Sequence, residues 1–497
     1  SILILFIIML VASIFSYGFF HYDEHYQIVE YVGLKLGKST QSDMTWEYGA
    51  KIRPWLQPGF YYIIAKGLTF FGVENPFYLV FAFRFVTGLF GILAILLLIL
   101  LSNFYFKDDT DKKKSIVYIF LFLFFIPYFI VRTSSESLSG SFFIIGFALL
   151  FLFSKKVSKY IETPNLIAFV TGLLFGLSFQ FRYQIAFMII GFGLWFLIFS
   201  SSNYLKNFLK ILLMLVGFLI TLAIGVLVDY WGYGEWGLSF WNYFYRNLVE
   251  KASENWGVDP FWGYLYLVNM NIFVPLTIFI MVSFFIYWIR YPKSIITFIT
   301  VIFFLGHSAV AHKEARFLFP MIFFVPFVIV EAFSRKGDRL DFFGKIYEMR
   351  KTIIAKLFYI LNFIYLIFLI FFDMRFDLPI QKEVIKSKIG TTLYCLENAN
   401  PYDNYGAKMN FYKPKDLNIL SVTKSDIDNL LIENKKIYVV SDGIKNPIKD
   451  NEIYKVTIKY KKFPDFITEN YFVRKVINFP RIKNQLRYYV LYQLEKK

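Results

Sequence analysis

"QPGFYYIIAKGLTFFG", residues 57–72, decides how this chain is threaded. The stretch is apolar enough to be taken for a membrane span, yet it carries Lys66, and prolines stand at 54 and 58. Counting it as a span changes the side on which every later loop falls. A span needs roughly 17–25 mainly apolar residues. Outside this stretch there are eleven candidates, several of them short: about 2–20, 76–101, 116–131, 139–154, 165–180, 183–200, 208–228, 266–288, 294–310, 317–333 and 352–372. Five basic clusters separate them: Lys107 with Lys112–Lys114; Lys155, Lys156 and Lys159; Lys206 and Lys210; Arg290 and Lys293; and Arg335, Lys336 and Arg339. With 57–72 left out and the N-terminus inside, all five fall on the cytoplasmic side, where Lys and Arg collect. Residues 57–72 are therefore read as a re-entrant or interfacial helix. Loops 21–56 and 229–263 then face outward, with interfacial helices expected in both. The second loop holds Asp229, Glu235, Glu250, Glu254 and Asp259 against Arg246 and Lys251.

Composition supports this threading. Of 497 residues, 57% are hydrophobic and 22% aromatic, and the mean hydropathy is +0.51. A soluble fold cannot hide that much apolar surface, so an all-α polytopic membrane protein is expected. The net charge of +17 is accounted for by the cytoplasmic loops, so no nucleic-acid partner is implied. Cys395 is the single cysteine, which rules out an intrachain disulfide and argues against structural zinc. The first apolar run has no basic n-region or small-residue cleavage site and is read as a retained span. From Asp373 onward charges become dense, and "KKIYVVSD" and "YKVTIKYKKF" read as strands. The chain thus divides into a transmembrane domain, 1–372, and a small α/β domain, 373–497, outside the cytoplasm.

Ionisable residues gather at the outer ends of the spans. Asp23 and Glu24 follow the first span in "HYDEHYQIVEYV" (21–32). "MTWEYGAKIRPW" (44–55) supplies Trp46, Glu47 and Arg53. Arg132 and Glu136 end the third span, Arg182 the fifth and Asp229 the seventh; "AHKEARF" (311–317) adds His312, Lys313, Glu314 and Arg316. Such residues at membrane depth are costly and mark function by default. Against this, Arg132 and Arg182 could snorkel, and the two clusters could be solvated loops. Their shared face argues for a common cavity. A carboxylate beside a basic cluster suits attack by a hydroxyl on a phosphate-activated centre: the carboxylate takes the proton, and the bases hold the phosphate. No P-loop, G-x-G-x-x-G, G-x-S-x-G or H-E-x-x-H occurs.

Four stretches resemble one family. "HYDEHYQIVEYV" is similar to the "HPDE-x-x-Q" signature after the first span of glycosyltransferase family 22, and "MTWEYGAKIRPWLQP" to its "LTWEW…IRSWLHP". "VDYWGYGEWGLSFWNYFYRNLVEKASENWGVDPFWGYLY" resembles its "DSYFYG-x-W…FN…N…S-x-x-YG-x-x-PWHWY" segment, and "HKEARFLFP" resembles "HKEERFLFP". "CLENANPYD" is a faint echo of "CHSTPYYS". The matches run in order over most of the chain. Tyr22, Pro54 and Gln57 depart from the motifs around the acceptor side, which leaves acceptor and sugar open.

The resemblance implies a GT-C fold, an inverting transfer of a sugar, most simply mannose, and an isoprenoid lipid-phosphate donor. The acceptor would be a glycan or a lipid-linked oligosaccharide. Asp23 maps onto the acid of the signature and is the expected general base, with Glu24 as alternate. Arg316, with Lys313 and His312, is expected to hold the donor phosphate. Trp46, Glu47, Arg53, Arg132, Arg182, Asp229 and Glu314 are the expected substrate-binding residues. No cofactor is implied, and a divalent cation, magnesium or manganese, is left open. Absence of any N-x-S/T sequon favours a bacterial inner membrane with a periplasmic site over an ER membrane with a lumenal one. A flippase of lipid-linked sugars is the alternative; it should show internal repeats and broken helices at midplane, and no repeat is seen.

Overall fold

The computed structural model describes residues 2–106, 109–157, 160–271, 274–334, 353–371, 377–397, 399–404, 406–442, 448–461 and 489–497. Lys107, Lys159, Arg335, Lys336, Arg339 and Asp373 lie outside the described residues. The chain forms two compact units: one of Ser1–Ser16, Trp46–Gly67 and Phe81–Phe372, the other of Tyr17–Thr45, Leu68–Val80 and Asp373–Lys497. Residues 17–45, much of the loop after the first apolar helix, therefore group with the C-terminal segment.

The first unit is helical. Among the described residues, four helices are long and apolar enough to cross a membrane: Pro76–Tyr105, Ser135–Phe153, Tyr204–Tyr233 and the run Ala315–Ala332. Six shorter apolar helices accompany them. Most expected spans appear as one helix; one is interrupted and another changes its winding, so the count of eleven is approximate. The stretch 116–131 breaks at Leu123, whose backbone is extended. Asn362 satisfies the exposed groups there, donating from Nδ2 to Phe122 O (2.5 Å) and accepting from Phe124 N (3.0 Å). A break at bilayer depth persists only where the freed backbone groups find such partners. Over the stretch 266–288 the described residues form Tyr264–Asn271 and Val274–Arg290. The stretch 317–333 begins as a tight 3₁₀ helix, Ala315–Phe324, holding Pro320, and becomes α-helical at Val325–Ala332. Pro320 has no N–H to give an α-helical ladder. The helix over 57–72 spans Leu56–Phe70, and its 15 residues make about 22 Å at 1.5 Å each, short of the ~30 Å hydrocarbon core.

Helices Asn165–Phe181 and Tyr204–Tyr233 touch backbone to backbone. A Cβ on Gly172 would sit 2.0 Å from Met214 O, and one on Gly217 would sit 2.4 Å from Phe169 O. Gly172 and Gly176 on one helix, and Gly217, Thr221 and Gly225 on the other, repeat every fourth residue and so lie along one face. Small residues at this spacing drive close packing where no hydrophobic gradient exists. Ser139 and Ser178 join helix Ser135–Phe153 to Asn165–Phe181 reciprocally, each hydroxyl donating to the other's carbonyl at 2.9 and 2.6 Å.

The second unit holds a five-stranded mixed sheet in the order 418–422, 392–396, 436–442, 489–496, 454–461. Strand Thr392–Leu396 runs parallel to both neighbours; the last two strands pair antiparallel. Helix Lys424–Glu433 makes the crossover between parallel strands and packs Ile427 and Leu431 against Val439 and Leu494. Both expected strands are present, as Lys436–Asp442 and Tyr454–Lys461.

Candidate active site

The first unit buries an ionic cluster around Glu136. Glu136 opens the helix Ser135–Phe153, capped by Ser134. Its Oε1 accepts from Arg316 Nη1 at 3.2 Å and lies 3.3 Å from Arg182 Nη1. Each arginine is also gripped at Nε by a neighbour two residues away: Arg182 by Gln184 (2.8 Å) and Arg316 by Glu314 (2.5 Å). Both guanidiniums lie over the Phe317 ring, at 5.0 and 5.1 Å. Glu136, Arg182 and Arg316 are all buried. A buried charge survives only when paired, and two cations beside two carboxylates meet that condition.

His312 extends the cluster outward. Its Nε2 stands 3.1 Å from Glu314 Oε1 and its Nδ1 3.3 Å from Gly257 O. Both ring nitrogens face acceptors, so only the imidazolium satisfies both. The hydrogen bond to Glu314 accordingly raises the imidazole above its ordinary value. Lys313 is placed differently from a ligand-seeking cation. Its ammonium donates to the carbonyls of Val310 (2.6 Å), Asp259 (3.1 Å) and Ala311 (3.5 Å), and burial lowers its pKa. It closes the 257–259 turn on 310–313, helped by Asp259 N bonding Ala311 O.

Glu47, Arg53 and Asp229 form a second group. Arg53 donates to Glu47 Oε1 from Nη2 (2.5 Å) and Nε (3.2 Å) and covers the Tyr243 ring. Asp229 accepts from Trp55 N at 2.7 Å, and Tyr233 donates to Arg53 O at 2.7 Å. Gly232 leaves room for the Trp55 indole, which a Cβ would meet at 2.0 Å. Trp46 is exposed. Arg132 joins neither group: with Arg84 it donates to Ser16 O, at 3.0 and 2.8 Å, capping the C-terminal end of helix Ile2–Phe15.

In the second unit, Asp23 and Glu24 differ in use. Glu24 is buried, and its Oε1 accepts from Phe20 N (2.9 Å) and His21 N (3.4 Å) in a capping box. Asp23 is 22% exposed at its side chain and lies 3.3 Å from His21 Nδ1. Among the described residues, no three His, Cys, Asp or Glu side chains gather as a group that could hold a metal ion. Two residues of this segment escape sequence reading. Glu30 is buried and sits 2.8 Å from His25 Nε2, while accepting from Ser39 Oγ (3.0 Å) and Phe411 N (3.0 Å). His25 stacks between Phe19 and Tyr412, and Lys38 donates to Phe411 O at 2.9 Å. The signal for Glu30 was an acid inside "QIVEYV", with apolar residues on both sides.

An apolar, half-open pocket of about 100 Å³ lies in the first unit. Phe125, Met281, Phe284, Trp288, Phe304 and Phe319 line it, and Ala315, the residue before Arg316, forms part of its wall.

A mostly helical bundle with membrane-length helices, followed by a small C-terminal sheet, is a GT-C type of fold. The structure of ArnT from Cupriavidus metallidurans bound to undecaprenyl phosphate matches with a TM-score of 0.54 at 11% identity, over 99% of this chain and 97% of that one. Its apo structure gives 0.50 at 10% identity, over 98% and 96%. At such identity the likeness establishes the fold. The model of the Alg9-like mannosyltransferase family matches residues 1–408, and the chain belongs to that family. A probable Dol-P-Man:Man(7)GlcNAc(2)-PP-Dol alpha-1,6-mannosyltransferase from Schizosaccharomyces pombe is 31% identical over 140 residues, 27% of this chain and 24% of that protein. GPI mannosyltransferase 3 from Debaryomyces hansenii is 23% identical over 325 residues, 64% of this chain and 56% of that protein. The matches thus span about a quarter and just over half of the length of these relatives.

Proposed function

We propose that this protein is an inverting glycosyltransferase that moves a mannosyl residue from a polyprenyl- or dolichyl-type phosphate to a hydroxyl of a glycan or glycolipid. Family membership supports the reaction class, and the relatives named for Dol-P-Man and GPI chemistry support mannose and an isoprenoid donor. The observation that carries the donor assignment is the buried Arg182–Arg316 pair next to an apolar cavity whose wall includes Ala315. Guanidiniums recognise a phosphodiester by charge and geometry, and an aromatic cavity suits an isoprenoid chain. Lys313, turned onto carbonyls, serves the loop; His312 and Glu314 brace Arg316.

Asp23 takes the acceptor's proton as the acceptor oxygen bonds to the anomeric carbon. The C1–O bond to phosphate breaks, and the phosphate leaves with the electron pair. That leaving group is a weak base and requires no general acid. Glu24, committed to backbone N–H groups, orients the turn that presents Asp23. Glu47, Arg53, Trp46 and Asp229 shape the acceptor side. The five basic clusters support an N-terminus in the cytoplasm and a reaction on the other face of the membrane, periplasmic in a bacterium or lumenal in the ER.

Purified protein supplied with a synthetic polyprenyl-phosphate mannose and a mannosylated acceptor should form product with inversion. Arg316→Ala should weaken donor binding by on the order of 2–5 kcal/mol. Unchanged donor affinity in that variant, or equal use of a nucleotide-sugar donor, would refute the reading.

A further inference from the structure

Glu136 is the member of the buried cluster that both arginines share. It stands in the first turn of its helix, with one oxygen shared between Arg182 and Arg316. Its other oxygen is 3.4 Å from Ser135 Oγ, which in turn accepts from Arg182 Nη1 at 3.2 Å. The arrangement has a symmetry of roles. Each guanidinium is held at Nε by a residue two positions away and at Nη1 by Glu136. Nη2 of Arg182 makes no hydrogen bond among the described residues. Two like charges over one phenyl ring repel each other, and more strongly in a low dielectric. The intervening carboxylate is what makes their approach stable.

We infer that Glu136 is a positioning residue that holds Arg182 and Arg316 as a preassembled guanidinium clamp for an anionic phosphate. The inference rests on the proposed phosphate reading of the two arginines and adds a residue which that reading does not use. Its physical content is preorganisation. Two long side chains fixed in the free protein lose less freedom on binding, so more of the contact energy appears as affinity. Outer-shell partners that orient metal ligands typically contribute 10–100-fold, and an effect on that scale is expected where one carboxylate orients two guanidiniums.

The test turns on the sign of an effect. Glu136→Gln keeps the shape and removes one negative charge beside two cations. If Glu136 acts only through its charge, the site becomes more positive and an anionic donor binds more tightly. If it acts by positioning, the clamp loosens and the donor binds more weakly. The expected result for Glu136→Gln is a donor KM raised by roughly 10–100-fold, with kcat at saturating donor and the acceptor KM near the parent values. Polyprenyl phosphate alone, as an equilibrium probe, should lose affinity to the same extent. Glu136→Asp, which retains the charge on a shorter stem, should recover part of the loss and covers the case in which Glu136→Gln fails to fold. Tighter or unchanged donor binding in Glu136→Gln, with Arg182→Ala and Arg316→Ala both impaired, overturns this inference alone. Unimpaired binding in both arginine variants overturns the phosphate reading together with it.

Discussion

Replacing Glu30 by Ala should detach one segment of the second unit while leaving the rest folded. The carboxylate is buried beside the His25 ring and accepts from the Ser39 hydroxyl at 3.0 Å and the Phe411 N–H at 3.0 Å. Alanine leaves both donors without their acceptor. Ser39 can turn its hydroxyl elsewhere, so the cost falls on Phe411. A buried group left unsatisfied costs about 1–3 kcal/mol, which is the loss expected for Glu30→Ala. Glu30→Gln keeps an acceptor oxygen for Phe411 N–H and should lose less. Hydrogen exchange reads this locally. At about 1.36 kcal/mol per tenfold, amide exchange over 407–412 should accelerate by roughly one to two powers of ten in Glu30→Ala. Residues 17–45 should loosen with it, and the strand Lys436–Asp442 should not. Unchanged exchange over 407–412 would sink the reasoning, and so would uniform acceleration along the chain.

Asp23→Asn should preserve folding and donor binding while turnover falls roughly 10²–10⁴-fold, the usual loss of a general base; near-parent turnover with a dead Glu24→Gln would transfer the role to Glu24. His312 has a pKa raised above 6.5 by Glu314, so its stabilising contribution is present below pH 6.5 and lost as pH rises through the raised value. The gap in Tm between the parent and His312→Gln should accordingly be widest below pH 6.5 and close at higher pH, and a gap that widens with pH would contradict the pairing. Cys395 is buried, and burial pushes its thiol up to about 12, so it should stay silent towards thiol reagents. A cysteine introduced at 250 or 254 should then react with an impermeant label from outside, and one at 112 or 113 should not; the reverse pattern would invert the topology.

What could be read in the sequence depends on the range of the interaction. Spans such as Ser135–Phe153 and Tyr204–Tyr233 are stated by local composition alone, and both strands near the C-terminus by local alternation. The break at Leu123 was not legible because the Asn362 that stabilises it lies about 240 residues away in sequence. The arginines at 182 and 316 stood out as charges at the ends of apolar runs; that one oxygen of Glu136 serves both depends on three helices meeting. Arg132 and Lys313 looked equally promising by the same criterion. Tertiary structure commits one to the Ser16 carbonyl and the other to three loop carbonyls. Glu30 was hidden by its apolar neighbours, since burial and polarity coincide there only through contacts with 39 and 411.

The bond between Glu30 and Phe411 joins residues 381 positions apart. On a ribosome adding ~5–20 residues per second, the partner arrives roughly 20–80 s after the carboxylate. For that whole interval His25 lacks Tyr412, Lys38 lacks the Phe411 carbonyl, and the turn bearing Asp23 has none of its later supports. Membrane insertion of the helices between them proceeds in the meantime. Maturation of the Asp23 segment is thus timed by the completion of the polypeptide, and a nascent chain stalled before residue 407 would carry every helical span and still lack the scaffold for its proposed base.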